Sequence, residues 1–304
     1  MPAKKRLKFY FHAVIKPEPT DYDSDPFATA LEGIRELTGT ALTMNLDGSF
    51  LRLREVRLLS SSNQWLGGRF ARYATDMDVV IGDTAGGERF VQLDDSHGAQ
   101  SPESFFLYDR GLKVLCFQHN AAAHLSRFER YVEQVAPTKP KVVHTEMLLN
   151  EDFLKQLQSA DRIIAMELST VRPTHGDFYH GSNASLRDFS AVPAGLEGDV
   201  LNAYVGVKRR PANRSLDRAR VIPMVQEILR IRQSEVVKIK SAKVYIDDGS
   251  VREVMVNLFK AAIEREAEVT VERRRIDAEE VYSSLGMTYA DAVPEVTRIL
   301  SMRG

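Results

Sequence analysis

Hydrophobic and polar positions change period several times along this chain, and each change predicts an element. The run "KFYFHAVIKPE" (8–18) is aromatic and β-branched and is ended by prolines, which reads as a first strand. In "DPFATALEGIRELTG" (25–39) the apolar residues Phe27, Ala30, Leu31, Ile34 and Leu37 recur at helical spacing. Asp25 supplies an N-cap, Pro26 sits in the first turn and Gly39 ends the helix. Strand patterns return in "SFLRLREVRLLS" (49–60), "RFARYATD" (69–76) and "RFVQL" (89–93), with a glycine turn at 85–87. The stretch 103–119 predicts two strands, 104–108 and 112–118, joined through Asp109, Arg110 and Gly111, a short hairpin whose glycine is able to take positive φ. "AAHLSRFERYVEQV" (122–135) reads as a helix.

"APTKPK" (136–141) has two prolines and no apolar period, so it predicts a boundary. Beyond it, 142–149 reads as a strand, 150–160 as a capped helix and 162–171 as a strand. A long loop, "RPTHGDFYHGSNASLRDFSAVPAGLEG" (172–198), leads to a strand at 199–209. Helical spacing covers 215–232, with Ser215 as N-cap and Pro223 as either a kink or the true first turn. A strand is predicted over 235–248, then a helix from 251 running into a last strand, then a mostly helical tail. Strands and helices are mixed rather than strictly alternating, which predicts an α+β fold. The expected organisation is two mixed sheet-and-helix domains, 1–137 and 141–304. A length of 304 residues fits two cores better than one.

Composition changes this picture little. The chain is 43% hydrophobic and 27% charged, which is ordinary for a globular protein. Its lone cysteine, Cys116, excludes an internal disulfide and a cysteine-based zinc site, and its apolar neighbours predict a buried strand thiol. No apolar run reaches the roughly 18 residues of a membrane span, and the N-terminus is not a signal peptide, so a cytoplasmic location without membrane insertion is expected.

Charge changes the picture more. Between 208 and 243 there are eleven Lys/Arg against Asp217, Glu227 and Glu235, a net +8. The whole chain nets −1, so the remainder nets −9. Much of that lies at 76–109, where eight acids face only Arg89. Three uses of the basic stretch compete. It can neutralise phosphates, it can dock on an acidic protein surface, or it can be a solvated face. Arginine predominates from 209 to 232, and its planar fork suits phosphate. The nucleic-acid reading takes Lys208, Arg209, Arg210, Arg214, Arg218, Arg220, Lys238 and Lys240 as the contacts. Ser215 at a helix start would add backbone N–H groups. Phe178, Tyr179 and Phe189 in the preceding loop could stack on bases or pin the loop.

Motifs of nucleotide-binding, hydrolase and zinc-protease chemistry are absent from the sequence. His175, Asp177 and His180 could ligate a metal only with further ligands that do not announce themselves. Asp247 and Asp248 precede a glycine and suit an ordinary turn as well as a nuclease centre. No catalytic residue, metal or cofactor is therefore assigned.

The segment "SFFLYDRGLKVLCFQHNAAAHLSRFERYVEQV" (104–135) resembles phage-exclusion and phage-defence proteins, the RexA-like and Kiwa B-subunit-like families. The shared pattern is two apolar strands, a small-residue break and a helix opened by Ser126. "EMLLNEDFLKQLQSADRIIAMELSTV" (146–171), leading towards the basic region, and the N-terminal "KFYFHAVIKPEP" extend it over about half the chain. The resemblance implies a two-domain α+β protein, often dimeric, that binds DNA without strong sequence preference; the expected partners are duplex DNA, a second copy in a homodimer and a defence-system protein. It transfers no individual residue. The alternatives are a metal-dependent nuclease effector and a regulatory subunit acting only through a protein partner.

Overall fold

A computed structural model describes residues 3–15, 25–46, 49–59, 64–74, 79–82, 88–91, 99–100, 103–120, 123–138, 143–171, 200–207, 214–232, 239–247, 253–258, 261–272 and 275–301. The fold is α+β. The chain forms two compact units, one of residues 1–145 with 265–290, the other of 146–264 with 291–304.

The first unit is built on a sheet whose strands are β1 (Ala3–Ile15), β2 (Thr43–Leu46), β3 (Ser49–Leu58), β4 (Trp65–Ala74), β8 (Ser104–Asp109), β9 (Val114–Gln118), β15 (Glu264–Glu272) and β16 (Arg275–Ile276). Their order is β16-β15-β1-β9-β8-β4-β3-β2, with β7 (Ala99–Gln100) beside β4 and β10 (His144–Met147) beside β1. β5 (Val79–Gly82) and β6 (Glu88–Val91) form a separate antiparallel pair. Every residue of β8 and of β9 is buried, which is why their sequences are continuous apolar runs rather than alternations.

One face of this sheet carries α1 (Pro26–Arg35) and α2 (Leu125–Val135), whose Phe27, Leu31, Ile34, Phe128 and Tyr131 share a core with Leu53, Phe70, Phe106 and Phe117. On the opposite face the first turns of α5 (Ala278–Ser301) place Tyr289 against Phe11, at 5.8 Å, and Trp65, at 5.4 Å. Gly68 is required between these layers, because a Cβ there would meet Phe106 Cζ at 2.6 Å and Glu55 O at 2.4 Å.

Asp25 caps α1 as its sequence predicts, accepting the Ala28 N–H at 3.0 Å, and also accepts from Tyr108 Oη at 2.9 Å and Lys113 Nζ at 2.6 Å. Two local expectations fail. The β8–β9 turn places Lys113, not Gly111, at positive φ (56°). Asp109 Oδ1 accepts the N–H groups of Gly111 (2.7 Å) and Leu112 (3.0 Å), so the turn is stapled by a carboxylate and the left-handed residue shifts to its end. The second helix is preceded by His124 at its N-cap, and Ser126 lies inside it, with its Oγ 2.7 Å from His124 Nδ1.

The second unit has an antiparallel sheet of β11 (Arg162–Val171), β12 (Val200–Gly206), β13 (Ile239–Asp247) and β14 (Glu253–Asn257), ordered β12-β11-β13-β14. Residues 253–257 are thus a strand where helical spacing predicted a helix. Val254 and Leu258 satisfy both periods, and pairing of Val256 with Val244 and of Met255 with Tyr245 decides for the strand. Helices α3 (Glu151–Ser159) and α4 (Arg218–Arg232) and the last turns of α5, from Asp291, complete the unit. Asn150 caps α3, its Oδ1 accepting from Phe153 N at 2.8 Å. Ile163, Met166, Leu168, Ala242, Val244 and Ile246 are buried on one sheet face, and so are Leu157, Val221, Val225 and Ile228 of the helices. Cys116 is fully buried in β9, and burial pushes its thiol pKa up. No helix among the described residues is long and apolar enough to cross a membrane.

Candidate nucleic-acid interface

Of the eight candidate contacts, Lys208, Arg209, Arg210 and Lys238 lie outside the described residues, and Lys240 is placed only as a backbone position in β13. The flanks of the basic segment are well defined. Val207 N donates to Ile164 O at 2.9 Å, and Leu216 N donates to Ile163 O at 2.8 Å. Ser215 Oγ accepts the Ile163 N–H at 3.0 Å and donates to Leu216 O at 2.8 Å. The chain therefore leaves the sheet and returns to it at two adjacent residues of β11.

That geometry corrects one expectation. Ser215 is committed to β11 and does not cap α4. Asp217 does, with its Oδ1 accepting from Ala219 N at 3.0 Å. A carboxylate already occupies the helix start, so the N-terminus of α4 is not an open phosphate cradle. The three described arginines differ in use. Arg214 is exposed. Arg220 is exposed and stands 3.5 Å from Asp217, a surface pair worth little. Arg218 donates to Gln158 O at 3.2 Å and to Ala160 O, so it satisfies carbonyls that end α3.

The open face of the second sheet carries groups that sequence reasoning missed. Across the strands Tyr204, Glu167, Lys243 and Asn257 are in register, and so are Gly206, Ala165, Tyr245 and Met255. Glu167 accepts from Tyr245 Oη at 2.8 Å and Lys243 Nζ at 3.0 Å. The Tyr245 hydroxyl, then the Lys243 ammonium, holds the Glu167 carboxyl below its ordinary pKa. The same hydrogen bonds raise the pKa of Tyr245 and Lys243. Arg162 and Asp247 pair at 2.5 Å. Tyr204 is 66% exposed and Met255 52% exposed, and the rings of Tyr204 and Tyr245 lie 6.3 Å apart. The signal for this face was the alternation of Ser241, Lys243, Tyr245 and Asp247, an aromatic among polar positions.

Phe178, Tyr179, Phe189, His175, Asp177, His180 and Asp248 lie outside the described residues. Among the described residues no three His, Cys, Asp or Glu side chains gather as a metal site. No family model, curated protein or solved structure matches this chain.

Proposed function

We propose that this chain is a non-catalytic DNA-binding protein that holds nucleic acid largely without regard to sequence. The region 208–243 supplies the phosphate contacts, from Lys208, Arg209, Arg210, Arg214, Arg220, Lys238 and Lys240, with Arg218 adding its charge while it holds the end of α3. The observation that supports this reading most is the anchoring of both flanks of the basic segment on adjacent residues of β11. Cations rooted at one place act together on a polyanion, and each phosphate they neutralise releases counterions. The resemblance of 104–135 to phage-exclusion and phage-defence proteins gives the setting: a cytoplasmic dimer acting in antiviral defence, with a protein partner.

The test is an anisotropy titration of duplex DNA at low and moderate salt, with and without Mg²⁺, for the wild type and for an Arg209/Arg210/Arg214→Glu variant. Binding should weaken steeply with salt, the variant should lose it, and the DNA should remain intact. Cleavage confined to Mg²⁺ would replace this reading with a nuclease centred on Asp247 and Asp248. Absence of binding at either salt would leave the regulatory subunit that acts through a protein.

A further inference from the structure

We infer that the outer edge of β12 pairs with the β12 of a second copy of this chain, antiparallel about a two-fold axis through Ala203, so that two sheets join into one. This inference rests on the dimeric part of the reading above and names its interface.

The first observation is which backbone groups the edge presents. β12 ends the order β12-β11-β13-β14 and among the described residues pairs only with β11. Val207 N donates to Ile164 O, and the β11–β12 register runs without a shift from Ala165↔Gly206 to Val171↔Val200. Opposed residues in an antiparallel pair alternate between exchanging both ladder bonds and exchanging none. Counted back from Val207, the residues Val205, Ala203 and Leu201 turn their N–H and C=O groups to β11. Those of Gly206, Tyr204 and Asn202 turn outward, and among the described residues no backbone group meets them. The neighbouring side chains leave them open. Asn202 Oδ1 accepts from Ser169 Oγ of β11 at 2.5 Å, and the Tyr204 ring leans back over the sheet, 6.3 Å from that of Tyr245 on β13.

The second observation is what the edge lacks. Sheet edges are ordinarily guarded by short strands or by charge. The other edges here follow that rule: β16 has two residues and begins with Arg275, β2 has four residues, and β14 begins with Glu253. β12 has seven residues, VLNAYVG, with no charge and no proline. Val205 lies in register with Met166 and, beyond it, Val244, both buried, yet Val205 itself is 57% exposed. The core face of the sheet thus stays apolar past the point where the helices cover it.

Self-complementarity selects the occupant. About a two-fold axis a residue meets its own copy or a near neighbour's, so a charge close to the axis is opposed by a like charge. β12 carries none. Centred on Ala203, the pairing sets Tyr204 against Asn202 and Gly206 against Val200 as the hydrogen-bonded pairs. Ala203 against itself and Val205 against Leu201 fall between them as the non-hydrogen-bonded pairs. All seven residues then pair, and every outward N–H and C=O of Asn202, Tyr204 and Gly206 finds a partner. A peptide from another protein would meet the same backbone groups with no charge on β12 to fix its direction or register, whereas the two-fold axis fixes the antiparallel direction and use of the whole strand fixes the register.

The test measures the mass of the full chain in solution by light scattering and its cross-linking through an introduced thiol. The wild type should run at twice the chain mass. Ala203→Glu and Ala203→Lys each set a like charge on the axis and should be monomeric alone. An equimolar mixture of the two should recover the dimer, because opposite charges then meet, and recovery also shows that both variants are folded. In a non-hydrogen-bonded pair the two Cα atoms stand about 4.5 Å apart, within reach of a disulfide. The native thiol, Cys116, is buried. Mild oxidation should therefore join Ala203→Cys into a covalent dimer, while Asn202→Cys, opposed to Tyr204, should stay uncross-linked. A wild-type dimer that survives Ala203→Glu, with Ala203→Cys uncross-linked, would overturn the β12 pairing and leave the dimer and DNA-binding readings standing. Loss of the dimer in Ala203→Glu without recovery on mixing, together with no cross-link, would overturn it as well. A monomeric wild type at high micromolar concentration would overturn both this interface and the dimer reading and leave DNA binding untouched.

Discussion

Asp109 shows how much one side chain can organise. It is buried at the end of β8, and its two oxygens accept from Gly111 N, Leu112 N, Trp65 Nε1 at 3.1 Å and Tyr289 Oη at 3.0 Å. Four donors compensate a charge that would otherwise be costly to bury. Asp109→Ala leaves all four without their acceptor and should cost about 3 kcal/mol or more of stability. Asp109→Asn keeps the shape and part of the acceptor capacity and should cost less. Urea denaturation followed by emission of Trp65, the single tryptophan of the chain and one of the four donors, checks both. Local chemistry of this kind was half legible. The cap at Asp25 could be read because an acid before proline and an apolar period leaves few alternatives. The turn after Asp109 offers Gly111 for a left-handed position, but with the carboxylate staple in place that conformation falls to Lys113.

At the scale of elements, α4 carries a divided load. Arg218 at its first turn holds the carbonyls of Gln158 and Ala160, while Arg214 and Arg220 point their charge to solvent. Arg218→Ala should therefore lower stability by about 1 kcal/mol, through carbonyls released at the end of α3. Arg214→Glu should leave stability unchanged within about 0.5 kcal/mol and act on DNA binding alone. Thermal melts of the two variants beside their DNA titrations separate the roles. The sequence reveals the basic cluster but not this division, because charge counts are blind to which guanidinium finds a backbone partner. Strands buried on both faces, β8 and β9, were legible from their apolar runs. Residues 253–257 were not, because their apolar positions fit both periods and only the pairing with β13 separates them. The polar face of β13 could have been read as an alternation, but its partners Tyr204 and Glu167 come from strands distant in sequence.

For the whole molecule, the larger part of the second unit, 146–264, interrupts the first. Within it, Leu148 O accepts from Ile263 N at 3.0 Å and Asn150 N donates to Ala261 O at 2.7 Å, so the two ends of the interruption run side by side. Excising 146–264, joining Thr145 to Arg265 through a short Gly-Ser linker and ending the chain at Ala290 should give a monomeric first unit with cooperative unfolding. A fragment ending at residue 145 lacks β15, β16 and α5 and should be insoluble or aggregated. Size-exclusion chromatography and thermal melts of the two proteins decide between these outcomes. Such long-range closure leaves no local trace in a sequence, since neither strand carries a mark of its partner.

The pairing of β1 with β15 also fixes an order of events at the ribosome. The first strand to emerge meets β9 and then β10 early, but the stretch where Arg6 and Lys8 lie 3.6 Å from Glu266 waits for nearly the last strand made. Throughout that interval the nascent chain displays that stretch without its β15 partner, guarded by Lys4, Lys5, Arg6 and Lys8. The cations that later pair with glutamates thus also repel neighbouring copies on the same message, and a stall before residue 264 would release a chain with that stretch still open.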